Sequence, residues 1–331
     1  MKLKILIPRS LFLVILLCGA GYAQQDEEVA TREITSLDFQ QQRQKGAGGT
    51  KNTPVGSQKN ATPKQKKNTS VITNTRRRYN LVRRVPSKTP VTAKVDKKPP
   101  VQKGSVKTEQ IGVTFWRLRP ISDDDGDVPV FAVRVGDGRE NWTAERVNST
   151  TRFREGDRVR FTIESSRTGY LYIINREYYT DGSTGAANII FPTLRTRGGE
   201  NSVTAGSLVD IPAASDSVPY FTIKPKRKDY AGEELVVIIT KEKLPLDIGL
   251  KAQPVGTTQF DKWSMDWSAT VDIYDAADGE GIAMTNTELS VAQTSTRALE
   301  QEEPLPQTIY KVRIGSDLPL FVPIRMSAVV P

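Results

Sequence analysis

Histidine is absent from the whole chain, and with it go the commonest general base near neutral pH and the commonest transition-metal ligand. Ser-His-Asp and Cys-His machinery, zinc sites of the His/Cys kind and two-histidine-one-carboxylate iron sites are excluded by composition. Cysteine is almost as scarce. The single Cys18 lies in the N-terminal apolar run, where Leu17 occupies the position at which a lipidation signal needs a small residue. Cys18 therefore reads as apolar filler, and a chain that sheds this run has neither thiol nor disulfide. Carboxylate, Lys, Tyr or Ser chemistry is what remains.

The first residues combine a charged start (Lys2, Lys4), a mostly apolar run from Ile5 to Leu17 interrupted at Arg9 and Ser10, and the small residues Gly19, Ala20, Gly21 and Ala23. These are the three regions of a secretory signal, with cleavage expected after Ala23. The rival reading is a retained anchor, but the apolar part falls short of the ~20 residues that a spanning helix needs, and no other stretch qualifies. The expectation is export to the periplasm or cell surface, with 1–23 as the signal.

Residues 24–109 are rich in Lys, Thr, Pro, Gln, Asn and Gly and poor in large apolar side chains, so a disordered linker is expected. As a flexible chain it would span about 50 Å. From Arg43 to Lys107 there are 18 Lys/Arg against Asp96 alone, whereas Thr108 onward holds 25 basic against 32 acidic residues. A basic arm thus precedes an acidic body. Such an arm seeks polyanions; the body does not.

Residues 110–326 are expected to form one β-rich module, with 327–331 as a tail. Short β-branched or aromatic runs recur at 113–118, 130–135, 158–163, 170–174, 188–191, 220–223 and 234–239. Glycine-bearing turns at 136–138, 155–157, 168–169, 180–182 and 197–199 separate them, where positive φ is cheap. The fold class this predicts is mainly β, an antiparallel β-sandwich-like module with one or two short helices. Val159, Phe161 and Ile163 alternate with Arg158, Arg160 and Thr162, which predicts a strand with one wet and one buried face. Residues 189–191 and 236–239 read as covered on both faces. Residues 263–267 and 269–274 read as strand, and Thr285 to Leu299 as a helix.

Gly156-Asp157, then Gly169-Tyr170-Leu171-Tyr172, Phe191-Pro192, Gly206 and Pro212 occur in an order and spacing that resembles the family called domain of unknown function (DUF) 4384. The likeness covers 151–241. The stretch 242–326, with Trp263, Trp267 and the segment around Tyr310 and Pro323, looks like an extension carried by secreted members of that family in soil bacteria. The family also occurs attached to kinases and caspase-like peptidases. The resemblance therefore implies an accessory or interaction role and assigns no ligand.

Several residue groups are candidates for binding. Arg76, Arg77, Arg78, Tyr79, Arg83 and Arg84 form the densest basic segment, which suits envelope polyanions such as lipopolysaccharide, acidic glycans or anionic headgroups. The competing reading is a soluble spacer held extended by self-repulsion. Nucleic acid is disfavoured by export, and membrane contact would be peripheral. Tyr178 and Tyr179 precede the Asp181-Gly182 turn and suit either a binding surface or packing. Asp123, Asp125 and Asp127 lie at alternate positions, but Gly126 is out of register and Arg134 stands where a calcium loop needs its bidentate Glu. Glu164, Glu177, Asp210 and Asp266 form no recognisable hydrolase motif. The expectation is an exported, non-catalytic binding or scaffold protein without metal or cofactor, its partner an envelope polyanion or a protein. The alternatives are a component of a secretion or adhesion assembly and a carboxylate-dependent hydrolase.

Overall fold

The computed structural model describes Phe39, the backbone of residues 81–84, and residues 106–276, 279–293, 299 and 304–329. Two antiparallel sheets dominate. In the first, the order is β1 (Leu81–Arg84), β13 (Thr270–Ala276), β14 (Thr308–Gly315), β2 (Val106–Pro120), β4 (Gly138–Val147), β3 (Phe131–Val135). The other edge of β2 pairs with β5 (Arg158–Glu164), which in turn pairs with β9 (Leu208–Ile211) and β10 (Phe221–Thr222). The second sheet runs β12 (Gln253–Pro254), β7 (Asn188–Phe191), β6 (Gly169–Tyr179), β11 (Tyr230–Thr240), β15 (Leu320–Ser327), with β8 (Ser202–Val203) beside β6.

The main core lies between the sheets, where Ile111, Val113 and Phe115 of β2 and Phe161 and Ile163 of β5 meet Leu171, Ile173, Val237 and Ile239 of the opposite sheet. Each sheet is also covered on its outer face. Helix α1 (Thr257–Asp266) lays Phe260 and Trp263 on Tyr172, Ile174, Val236 and Ile238. Helix α2 (Asn286–Gln293) and Met284 close over Trp116, Leu118, Phe131 and Val133. Double coverage is why β11 has an unbroken apolar run, as its sequence predicts: one set of side chains serves each layer.

It also corrects the expectation for β5. Arg160 is fully buried and Thr162 nearly so, because the face that alternation marks as polar lies beneath Phe131 and Trp116 instead of water. Two further corrections concern the C-terminal part. Trp263 lies in helix α1, not in a strand, with Phe260, Trp263 and Trp267 at the i, i+3, i+7 spacing of one helical face. The helix expected from Thr285 to Leu299 is described over Asn286–Gln293. Thr285 caps it: its hydroxyl accepts from Glu288 N at 3.1 Å, while Glu288 Oε2 accepts from Thr285 N at 2.9 Å.

Glycine does two different jobs in the motif segment. Gly156, Gly182, Gly198, Gly199 and Gly206 have positive φ, as turns require. Gly169 does not; a Cβ there would come within 2.2 Å of the Thr240 carbonyl oxygen, so its role is close approach of strands. Asp157 Oδ2 accepts from Arg154 N at 2.8 Å to close the turn before β5. Leu171 and Phe191 are fully buried in the central core, and Tyr170 packs at the margin of the cluster beneath α1. Tyr172 lies within that cluster and its hydroxyl accepts from Leu244 N at 2.8 Å. Pro192 and Pro212 follow cis peptide bonds at the ends of β7 and β9.

Residues 1–23, expected to be a signal, and most of 24–109 lie outside the described residues. Within that span the structure describes β1, whose Arg83 and Arg84 pair with Asp275 and Tyr274 of β13. It also describes Phe39, which is buried against Tyr274, Leu305 and Ile309. Body structure also starts before residue 110, at Val106, and continues past 326: Val329 N donates to the Phe153 carbonyl at 2.8 Å.

Candidate binding cleft

Strand β3 is an edge. Its partner β4 returns through Gly136-Asp137, with Gly136 at φ +57°, as the first central position of a type II′ turn favours. Phe131 and Val133 point inward and are buried, while Ala132 and Arg134 point outward and are exposed. In an antiparallel pair the backbone groups of successive residues alternate between partner and open edge. Arg134 faces the open edge: its N–H donates to Tyr220 Oη at 3.3 Å and its carbonyl accepts from Arg158 Nη2 at 3.1 Å. By the same alternation the N–H and carbonyl of Ala132 face that edge, where no strand among the described residues pairs with them.

Across the edge runs loop 213–220. Asp216 shapes it, its carboxylate accepting from Ala213 N at 2.8 Å and Arg197 N at 3.1 Å. Tyr220 and Arg158 prop the loop away from β3, the guanidinium lying 4.5 Å from the Trp142 ring and 5.9 Å from the Tyr220 ring. Between loop and strand is a cleft of about 550 Å³, within the size range of ligand sites. Val130 (58 % exposed) and Val218 (52 % exposed) stand in water at its margins. Arg134 and Arg139 are directly opposite across the hairpin, a like-charge pairing that costs stability unless an anion joins them. Among the described residues neither is in an ion pair.

A second opening, lined by Trp116, Arg146, Met284 and Glu288 beneath α2, has a cavity volume of about 30 Å³, room for a water molecule but not for a larger ligand. Arg146 pairs there with Glu288.

The candidates read from sequence gather elsewhere. Arg76, Arg77, Arg78 and Tyr79 lie outside the described residues; Arg83 and Arg84 are on β1. Tyr179 is 6 % exposed, donates its hydroxyl to Glu177 Oε2 at 2.8 Å and sits beneath Arg227 at 3.9 Å. Burial and then Glu177 push its phenol up to about 12. It supports the turn, with its ring buried beneath Arg227. Tyr178 is half-buried beside Arg325, 5.4 Å from its ring. In the acidic turn, Asp125 is engaged by Arg119, which holds its carboxyl well below the ordinary range, and by Ser122. Asp123, Asp124 and Asp127 are exposed, and no cluster of three metal-ligating side chains occurs among the described residues.

The scattered carboxylates also find their places. Asp210 pairs with Arg160 in the interior, Glu164 is buried at the end of β5, and Asp266 is 3.9 Å from Lys262 on the surface of α1. Glu177 faces a partner that sequence reading missed, Glu233, directly across β6 and β11. Both are buried at the end of the inter-sheet core. Tyr230 donates to Glu233 Oε1 at 3.0 Å. Burial pushes the Glu233 carboxyl up, the negative charge of Glu177 adds to this, and the Tyr230 hydroxyl, Asn175 and Lys226 oppose it. A carboxyl raised in the fold keeps its proton where the unfolded chain has lost it, so this group's contribution to stability falls as pH rises from the ordinary glutamate range through the folded value. Glu233→Gln is expected to remove that slope and to leave the fold at least as stable at neutral pH. Urea unfolding of parent and variant across pH measures it; a variant destabilised equally at every pH contradicts the account.

Residues 152–243 match a family model described as "Domain of unknown function (DUF4384)". No curated protein matches the chain, and neither does any solved structure. The cleft straddles the limit of the match: Tyr220 and Val218 fall inside it, whereas Arg134 and Arg139 come from the hairpin before it.

Proposed function

Starting from a chain whose residues 152–243 belong to the DUF4384 family, we propose an exported, non-catalytic binding or scaffold protein of the bacterial envelope, whose β module takes its partner in the cleft along β3. The observation that carries this reading is the open backbone edge at Ala132 facing a cleft propped open by Tyr220 and Arg158. A ligand site needs concavity and a few fixed polar groups, and this one has both. The paired carboxylates Glu177 and Glu233 offer less to an acid–base enzyme, since both are buried at the end of the core and neither lines the cleft.

The basic segment has a separate part in the proposal, as a contact to envelope polyanions. Its charges at Arg76, Arg77 and Arg78 can be removed without touching β1. Native bacterial envelope is passed over the immobilised mature chain at low and physiological salt, in parallel with R134E/R139E and with Arg76, Arg77 and Arg78 changed to Gln. The expected result is that the cleft variant loses a partner that is retained at both salts, while the Gln variant loses only salt-sensitive material. If both variants hold everything that the parent holds, neither surface binds and the proposal fails.

A further inference from the structure

Resting on that reading, we infer that the occupant of the cleft is an extended peptide segment with an acidic residue two positions from an apolar one, added as a strand to the open edge of β3. Three observations select this chemistry. The first is the backbone: Ala132 turns an N–H and a carbonyl to the cleft, the groups through which a strand adds to a sheet. This edge is open where the corresponding one is blunted, for β15 places Pro323 mid-strand and so removes a donor.

The second is charge. Arg134 and Arg139 lie opposite each other on the exposed face of the hairpin with no carboxylate in an ion pair to either among the described residues. Of the nearby acids, Asp216 has its oxygens turned to the backbone N–H groups of Ala213 and Arg197. A carboxylate between the two guanidinium groups relieves their repulsion and gains charge-assisted hydrogen bonds. The third is periodicity. Val130, Ala132 and Arg134 share one face of the chain, so an added strand, whose side chains also alternate, sets one residue beside Val130 and the residue two away beside Ala132, diagonal to Arg134 and within reach of its long side chain. Val218 on the loop completes the apolar end.

The test is fluorescence anisotropy of the mature full chain with a labelled, end-blocked Glu-Thr-Val-Thr-Glu peptide, whose symmetry allows either strand direction. Three comparisons accompany it: the same peptide N-methylated at odd amides, at even amides, and a Lys-Thr-Val-Thr-Lys version. The acidic peptide is expected to bind, and one of the two methylation patterns to weaken it about tenfold or more while the other is tolerated, since only alternate amides face the edge. R134E/R139E is expected to reverse the preference to the lysine peptide. Equal binding of both methylated forms would reduce the site to anion recognition, and absence of binding by the acidic peptide would overturn the inference. An envelope partner retained through Arg134 and Arg139 without peptide binding would leave the binding reading intact and remove only this occupant.

Discussion

Replacing Asp210 by Ala is expected to cost the fold roughly 3–5 kcal/mol, the range for removing one partner of a buried ion pair. Arg160 has no exposed surface. Its guanidinium is held by Asp210, by the Pro219 carbonyl at 2.5 Å and by the Phe131 ring 4.3 Å away. Burial acts against the charge on both members, pushing the Asp210 carboxyl up and the Arg160 guanidinium down, and each offsets that for the other. Without Asp210 the cation remains, and Thr162, which receives a hydrogen bond from Trp116 Nε1 at 2.8 Å, loses its neighbour as well. The double change Arg160→Met with Asp210→Leu is expected to recover the loss, because a volume-matched apolar pair has no desolvation to offset. Urea unfolding midpoints of the two variants and the parent decide this. A loss below about 1 kcal/mol for Asp210→Ala would mean that water reaches the pair and that it behaves as a surface one. The double variant also separates stability from binding. It stays folded but no longer anchors Pro219, so loop 213–220 is freed at one end and the cleft is expected to lose affinity without loss of fold.

The same pair shows where sequence reading reaches its limit. Period two correctly places Val159, Phe161 and Ile163 in the core, but a strand's other face carries no mark that distinguishes water from a second covering layer. Arg160 reads as wet although it is the centre of a buried network. Strands β6 and β11 were legible because each carries an uninterrupted aromatic or β-branched apolar run, Tyr170 to Ile174 and Leu235 to Ile239. Strand β4 was not, since it opens on Gly138 and the polar Arg139, Glu140 and Asn141. The cleft was beyond sequence reading for another reason: it depends on contacts such as that between Arg134 and Tyr220, which are 86 positions apart. Only the cross-hairpin pair Arg134 and Arg139, flanking a recognisable glycine turn, could have been found. Residue type alone likewise does not tell an exposed tyrosine from a packed one: Tyr179 is 6 % exposed beneath Arg227.

Helix α1 illustrates a different ambiguity and leads to the second large effect. Trp263 and Trp267 are four residues apart, a spacing that satisfies one face of a strand as well as one face of a helix. Only Phe260, three residues before Trp263, separates the two periods. The helix buries little else: Phe260 and Trp263 are its buried residues, and Trp263 stacks on Trp267 with centroids 5.3 Å apart. Ten residues of helix have no independent stability in water, so α1 exists because these rings seat it on Tyr172, Ile174, Val236 and Ile238. Trp263→Ala is therefore expected to cost about 3–5 kcal/mol, as truncation of a large buried aromatic does, and to do so locally. Amide exchange along α1 should accelerate towards that of an open segment, while the central strands β6 and β11, whose other faces keep the inter-sheet core, retain their protection. Uniform loss of protection across both sheets would instead make the layer beneath α1 part of one cooperative core. Because the cleft lies on the other sheet, the local outcome also predicts that Trp263→Ala leaves binding at Arg134 and Arg139 unchanged, a control that Asp210→Ala cannot supply.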